Sequence, residues 1–425
     1  MTTATPTPTA GPAGDDRDPV LQPPGPPKRP GRRSGWWRWG YPVALVLLLV
    51  AIPALVWAGM RVILDSTDGQ LVRRVTDPAA PGYEAVVEPT PTALVTTIDT
   101  EGTLDSAAVL ALTADGTGGV LTIPADTLVE IPGGFVTLRF VHDTLGAEPY
   151  TAAVGNLLEL TFSETATISA SEWSGLVSAA APIAVSSPDP VVGPTGAVVF
   201  PQGSIDLAAD EVWPYLSGRG PRESDLARLV RVQAFWRAWL SEVGAAGPDA
   251  LGIPTDTGLG RFLSGLSADQ IIYETLPVTS VGADAEGREQ FRVDPEAAAA
   301  ALAAIIPFPE GAPGTRPRLR VLDGTGELNN GLEAAIVLAA AGAQIDVVGN
   351  ARSFGQTVTQ FVYYDQGAEG AARELRDALG VGEIVHSEQT NSATDLTVVL
   401  GEDYLAVVGP SGTVAGFHTK GGQGG

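Results

Sequence analysis

Residues 41–60, YPVALVLLLVAIPALVWAGM, are uncharged, almost wholly apolar and long enough to cross a bilayer as a helix. They follow a basic run that includes Lys28, Arg29, Arg32, Arg33 and Arg38 with no acidic neighbour. Cationic flanks stay on the cytoplasmic side, so the expected topology is a single-pass anchor in the cell membrane. The N-terminus is then cytoplasmic and everything after Arg61 lies outside. Trp36, Trp37, Trp39, Tyr41 and Trp57 fall near the two ends, where amphipathic rings favour the headgroup zone. A cleaved signal peptide is the rival reading, but it calls for a shorter apolar core nearer the start.

That topology makes the rest of the composition informative. The chain has 425 residues and a net charge of −24. Its first forty residues hold six basic and three acidic side chains, so the outer part is strongly acidic. Such a surface repels phosphate backbones, which argues against nucleic acid as a partner. Cysteine is absent, which removes disulfides, thiolate nucleophiles and thiolate metal sites together. Stability outside the cell must come from packed cores.

The expected organisation is a disordered cytoplasmic tail (1–40), the membrane span (41–60) and a proline-broken stalk (61–92). Two folded domains (93–307 and 319–408) follow, joined by the linker 308–318, and a glycine-rich flexible tail (409–425) ends the chain. The first domain opens with β-branched runs, ALVTTI, AAVLALT, GGVLTIP and GGFVTLRFV, which predict a sheet. Helices are expected over 151–160, in SEWSGLVSAA, in SDLARLVRVQAFWRAWLSEVG and over 297–306. In the longest of these Ser224 or Asp225 can cap the start, Gly244 marks the end, and Leu226, Leu229, Val230, Phe235 and Leu240 form the buried stripe. LSADQIIYETL reads as a further helix, because Ser267 and Gln270 have capping-box spacing. Residues 186–203 read as a loop. The second domain alternates strand and helix, as a small α/β unit with helices on a mixed sheet does.

Several chemistries find no support. His142, His386 and His418 are scattered outside any metal spacing, and no GxSxG elbow accompanies them. DGTGELNNG lacks the lysine of a phosphate loop and reads as a tight turn relieved by Gly324 and Gly326.

Two segments of the first domain resemble the LytR-CpsA-Psr (LCP) family of membrane-anchored envelope proteins. In LDSAAVLALTADGTGGVLTIPADT, Asp105 takes the place of the family's early-strand aspartate. Ile123-Pro124-Ala125-Asp126-Thr127 follows its IPRDT motif, with Ala125 for arginine. In WPYLSGRGPRESDLARLVRVQ, Ser217 and Arg219 stand at the family's two arginine positions, and Asp225, Arg228, Arg231 and Gln233 follow its helix pattern. VLDGTGELNNGLEAAIVLAAAGAQIDVVGNA and DLTVVLGEDY resemble the LytR C-terminal domain. The implied fold class is α/β: a transmembrane helix, an extracytoplasmic LCP-like domain with a mixed sheet, and a small LytR domain.

The resemblance also implies chemistry. LCP enzymes move a glycan from a polyprenyl-pyrophosphate carrier to peptidoglycan. By that analogy Asp105 and Asp126 would hold Mg²⁺ or orient arginines, Arg219, Arg228 and Arg231 would contact pyrophosphate, and Gln233 would support them. Guanidinium forks suit phosphate oxygens, and Mg²⁺ favours carboxylates and phosphates. Against this, arginines at three-residue spacing beside Asp225 also make plain helix-face ion pairs, and two expected arginines are missing. The first expectation is therefore a non-catalytic binder of polyprenyl-phosphate carriers, wall glycan (peptidoglycan) or envelope proteins. The alternatives are a glycopolymer phosphotransferase and, by family label only, a transcriptional attenuator.

Overall fold

Short β-branched runs separated by turns pair with their neighbours in sequence, and residues 92–124 do so here. The computed structural model describes residues 75–408 apart from 114–116, 194, 221–222, 269–270, 328, 390 and 392. The expected tail 1–40, the span 41–60, the start of the stalk, Gln270, His418 and the end after 408 lie outside the described residues. Among the described residues no helix is long and apolar enough to cross a membrane.

Strand β1 (Glu84–Val86) comes from the expected stalk and belongs to the C-terminal sheet. Strand β2 (Thr92–Ile98) pairs antiparallel with β3 (Leu104–Leu112), which pairs antiparallel with β4 (Gly118–Pro124). At the edges β5 (Glu164–Ser169) lies parallel to β2, and β6 (Ile271–Thr275) parallel to β4. The mixed sheet thus runs β6-β4-β3-β2-β5.

Helices cover both faces, so β4 is buried at every position and β3 at all but its last. One face packs its alternate residues Val95, Ala108 and Leu110 against α2 (Ala170–Val177), α3 (Val212–Ser217), α4 (Asp225–Ala246) and α5 (Gly258–Ser267). The other packs Leu94, Val109 and Leu121 against α1 (Ala147–Leu158) and α6 (Pro295–Ile305).

The C-terminal sheet is built from β7 (Arg318–Asp323), β8 (Gln344–Asn350), β9 (Gln360–Tyr363), β10 (Glu383–His386) and β11 (Leu396–Leu400), in the order β1-β8-β7-β11-β9-β10. Helices α7 (Asn330–Ala340) and α8 (Glu369–Leu379) close its core through Leu338 and Leu375. The DGTGELNNG turn joins β7 to α7, with Gly326 at φ 87° as a tight turn requires.

Four local expectations are corrected. Residues 271–275 are a strand and not the body of a helix, because the β-branched and aromatic IIYET run pairs with β4. LRFV in GGFVTLRFV leaves the sheet for a helical turn, Leu138–Phe140. The 186–203 loop contains a small hairpin of Val191–Val192 and Val198–Phe200. Helix α4 runs through Gly244 to Ala246; a β-carbon at Gly244 would sit 2.1 Å from the Ser267 carbonyl oxygen, so close helix packing explains that glycine.

Candidate functional site

Helix α4 starts where Ser224 takes the Ala227 amide on its hydroxyl at 3.1 Å, which fixes Asp225 in the first turn. One turn on, Arg228 points into the protein and its side chain is fully buried. Its Nε donates to Asp225 Oδ1 at 2.9 Å and its Nη1 to Asp105 Oδ2 at 2.7 Å. Nη1 also reaches the Leu216 carbonyl at 3.1 Å, and Nη2 the Asp105 carbonyl at 3.0 Å. One guanidinium therefore ties β3, the end of α3 and the start of α4 together. Burial alone would lower its pKa, but Asp105 and Asp225 more than offset that and hold it raised.

Asp126 follows β4 directly and both its oxygens are taken. Arg139, from the helical turn after the β4 region, donates Nε to Oδ1 at 2.9 Å and Nη2 to Oδ2 at 3.0 Å. Arg139 also bonds the Leu104 carbonyl, next to Asp105. Burial works against its charge, and Asp126, Asp225 and Asp105 overcome it, so its pKa is raised. Arg231, buried one turn after Arg228, spends its donors on Glu223 and on the Tyr215 and Gly218 carbonyls. Arg219 differs. Its Nη2 meets Asp225 Oδ1 at 2.7 Å, but 35% of its side chain remains exposed. Burial first and the Arg228 charge second lower its pKa, so it occupies the least compensated cationic position of the group.

The structure thus converges Asp105, Asp126, Arg219, Arg228 and Arg231, the five charged residues singled out from the sequence. Gln233 is half-buried, faces away from Arg228 around the helix and has no hydrogen bond recorded in this cluster. Arg139, Glu223 and Asp225 complete it. Arg139 went unnoticed because it sits thirteen residues beyond its carboxylate, with no motif between them; the orphaned Asp126 beside Ala125 was the signal that some cation must answer it. The result is four guanidiniums facing four carboxylates. Ser217 only bonds back to the Trp213 carbonyl at 2.8 Å.

Behind this cluster the interior is filled. Trp173 meets Phe235, Trp236 and Trp239 edge-on with ring centroids 5.6–5.8 Å apart. A void between Ser106, Ala108, Trp173, Leu216, Val232 and Trp236 measures about 10 Å³, close to one water.

For Mg²⁺ the free oxygens decide. Asp126 gives one hydrogen bond's worth of each oxygen to Arg139, so a metal there would share the carboxylate with that guanidinium. Asp225 Oδ2 is buried without a partner, and Asp105 keeps one oxygen outside its bond to Arg228. Those two carboxylates match the one or two that Mg²⁺ takes when phosphates and water complete its shell. Among the described residues no group of three acidic or histidine side chains is arranged to hold a metal unaided. His142 meets Tyr150 edge-on and lies 2.8 Å from Asp143 Oδ1, which also takes the Leu104 amide, whereas His386 packs on Tyr363 in the C-terminal sheet.

A family model described as LytR cell envelope-related transcriptional attenuator matches residues 316–404. Solved structures similar to the chain include B. subtilis TagV (17% identity, 52% of this chain and 96% of that one, TM-score 0.41). B. subtilis TagT is another (18%, 55% and 94%, TM-score 0.43). A third is the LytR-CPS2A-psr family protein YwtF (TagT) with bound octaprenyl pyrophosphate lipid (16%, 55% and 92%, TM-score 0.40). A search of curated protein sequences returns no match. The family model agrees with the LytR C-terminal domain read from the sequence over residues 316–404.

Proposed function

We propose that this chain is a tethered cell-envelope protein whose first domain binds a phosphate-bearing glycan headgroup at its rim and does not transfer it. The observation that carries the reading is the sealed interior behind the charged cluster. A prenyl chain entering past Arg228 would have to occupy a space of about 10 Å³ that Trp173 and Trp236 already close. Opening it means displacing rings packed on three aromatic neighbours. The octaprenyl pyrophosphate named for YwtF is that protein's ligand.

That chemistry is narrow. Arg228, Arg231 and Arg139 have spent their forks on protein acceptors, so they hold the site's shape. Arg219 alone of the four is both guanidinium and substantially exposed, and it is our choice for the phosphate contact. Mg²⁺ held by Asp105 and Asp225 would supply the positive charge that four balanced ion pairs do not. With residues 41–60 read as an anchor and the N-terminus as cytoplasmic, both folded parts would lie on the outer side, where lipid-linked glycan, peptidoglycan and envelope proteins are the available partners. Direct contact with DNA does not fit that side or the acidic charge.

The alternative of a working phosphotransferase draws on one observation: Arg139 restores a cation beside Asp126 where Ala125 lacks one. The two readings separate in a transfer assay with Mg²⁺ and a polyprenyl-pyrophosphate-linked glycan. Binding without turnover, lost in Arg219→Ala, supports the binder. Turnover above a protein-free blank overturns it.

A further inference from the structure

A second site lies on the opposite face of the five-stranded sheet, where α1 and α6 meet α7 of the C-terminal part. The cleft measures about 500 Å³, within the range of sites for small organic ligands. Its walls are apolar: Leu157 from α1, Ala299, Leu302 and Ala303 from α6, and Ala340 at the end of α7. The alanines of α6 create the space, since a larger residue at each position would fill it.

Two charged side chains line this cleft, Arg316 and Glu159, and the guanidinium is the more deeply buried of the two. Arg316, from the segment read as a linker, has a side chain only 8% exposed. Its Nε donates to the Glu159 carbonyl at 2.9 Å and its Nη1 to the Ala339 carbonyl at 3.3 Å. Its Nη2 faces Glu159 Oε2 at 3.8 Å, beyond hydrogen-bond reach, and that carboxylate is 57% exposed. Five N–H donors therefore serve two carbonyls and a distant, solvated counter-charge. Burial lowers the Arg316 pKa and Glu159 only partly opposes this. Glu159 itself closes α1 in the left-handed region (φ 52°, ψ 43°), a conformation that non-glycine residues adopt at a cost. Its carbonyl is the one that takes Arg316 Nε.

We propose that this cleft binds a single-chain anionic amphiphile, with the alkyl chain against α1 and α6 and the carboxylate or phosphate on the spare donors of Arg316. A buried guanidinium with too few acceptors favours an anion, and the walls favour hydrocarbon. Both demands are met together by such a ligand, whereas a free inorganic anion leaves the walls wet and a neutral chain leaves the spare N–H donors of Arg316 without an acceptor. The site is independent of the cluster at α4.

The test uses the full chain in phosphatidylcholine nanodiscs and photoreactive dodecanoate, dodecyl phosphate and dodecanol, with crosslinks mapped by peptide mass spectrometry. Labelling of α6 by one or both anions, at least about tenfold above dodecanol, is expected; the better anion identifies the headgroup. Arg316→Met keeps the apolar stem and should lower the anion signal to the dodecanol level. Ala303→Phe keeps Arg316 and should block all three probes, which guards against a fold defect in the first variant. Arg219→Ala should leave labelling unchanged, so failure here and failure of the phosphate-rim reading are distinguishable. Equal labelling by dodecanol, labelling spread along the chain, or labelling that survives both cleft variants overturns the proposal.

Discussion

Arg228 and Arg219 lie nine residues apart, share Asp225 as a partner, and should respond to substitution in opposite ways. Arg228 is buried against two carboxylates, and removing one member of such a set leaves uncompensated charge inside the protein. Arg228→Met should cost about 3–5 kcal/mol in chemical denaturation. Arg219→Ala should cost less than about 1 kcal/mol, because its ion pair is at the rim, while abolishing phosphate binding. A stability loss of similar size in both would mean that the rim is as structural as the interior. A buried tyrosine and a half-buried one give a pH signature. Burial, with Glu333 and Asp323 adding to it, pushes Tyr404 up to about 12, and burial against the opposing charge of Arg237 pushes Tyr273 up to about 12. Unfolded tyrosine ionises near 10, so their contribution is fully present below about pH 10 and is lost as pH rises towards 12. Melting temperature followed through that window should fall, and Tyr404→Phe should flatten part of the slope.

At the scale of elements the sequence carried most of the sheet and misjudged one helix face. Strands β2 to β4 were legible because their apolar runs lie between clear turns. The face of α4 was not, because Val230 was placed in the stripe yet is 49% exposed, while Arg228 and Arg231 are inside. A hydrophobicity pattern assigns arginine outward; only the distant carboxylates Asp105 and Glu223 reverse that, and their proximity is a tertiary fact. The same reason hid Arg139. The aromatic fill between α2 and α4 leads to a prediction of its own. Trp236→Ala should destabilise the protein by about 3–5 kcal/mol, since it empties a packed position. Should it also raise the affinity for farnesyl diphosphate above that for inorganic pyrophosphate, a preference the parent lacks, the rings are what deny a prenyl chain its space. Unchanged stability would show that they are not packed as described.

For the whole molecule, the two proposals divide recognition between two faces of one sheet: a charge-balanced rim at α4 and an apolar cleft at α6. The short strand β1 adds the residues before the first sheet to the C-terminal one, so the two parts are stitched by chain as well as by packing. Deleting the segment up to Val86 should therefore destabilise the C-terminal sheet and not merely shorten a tether, a difference that hydrogen exchange in β8 would report. The absence of cysteine allows single-cysteine accessibility mapping of the expected anchor without a background. The most direct test of the central claim is a calorimetric series with Mg²⁺ and inorganic pyrophosphate, geranyl diphosphate and farnesyl diphosphate on the same protein. A sealed interior predicts affinities that agree within about threefold across the series and vanish together in Arg219→Ala. Affinity that climbs steeply with each added prenyl unit would contradict it.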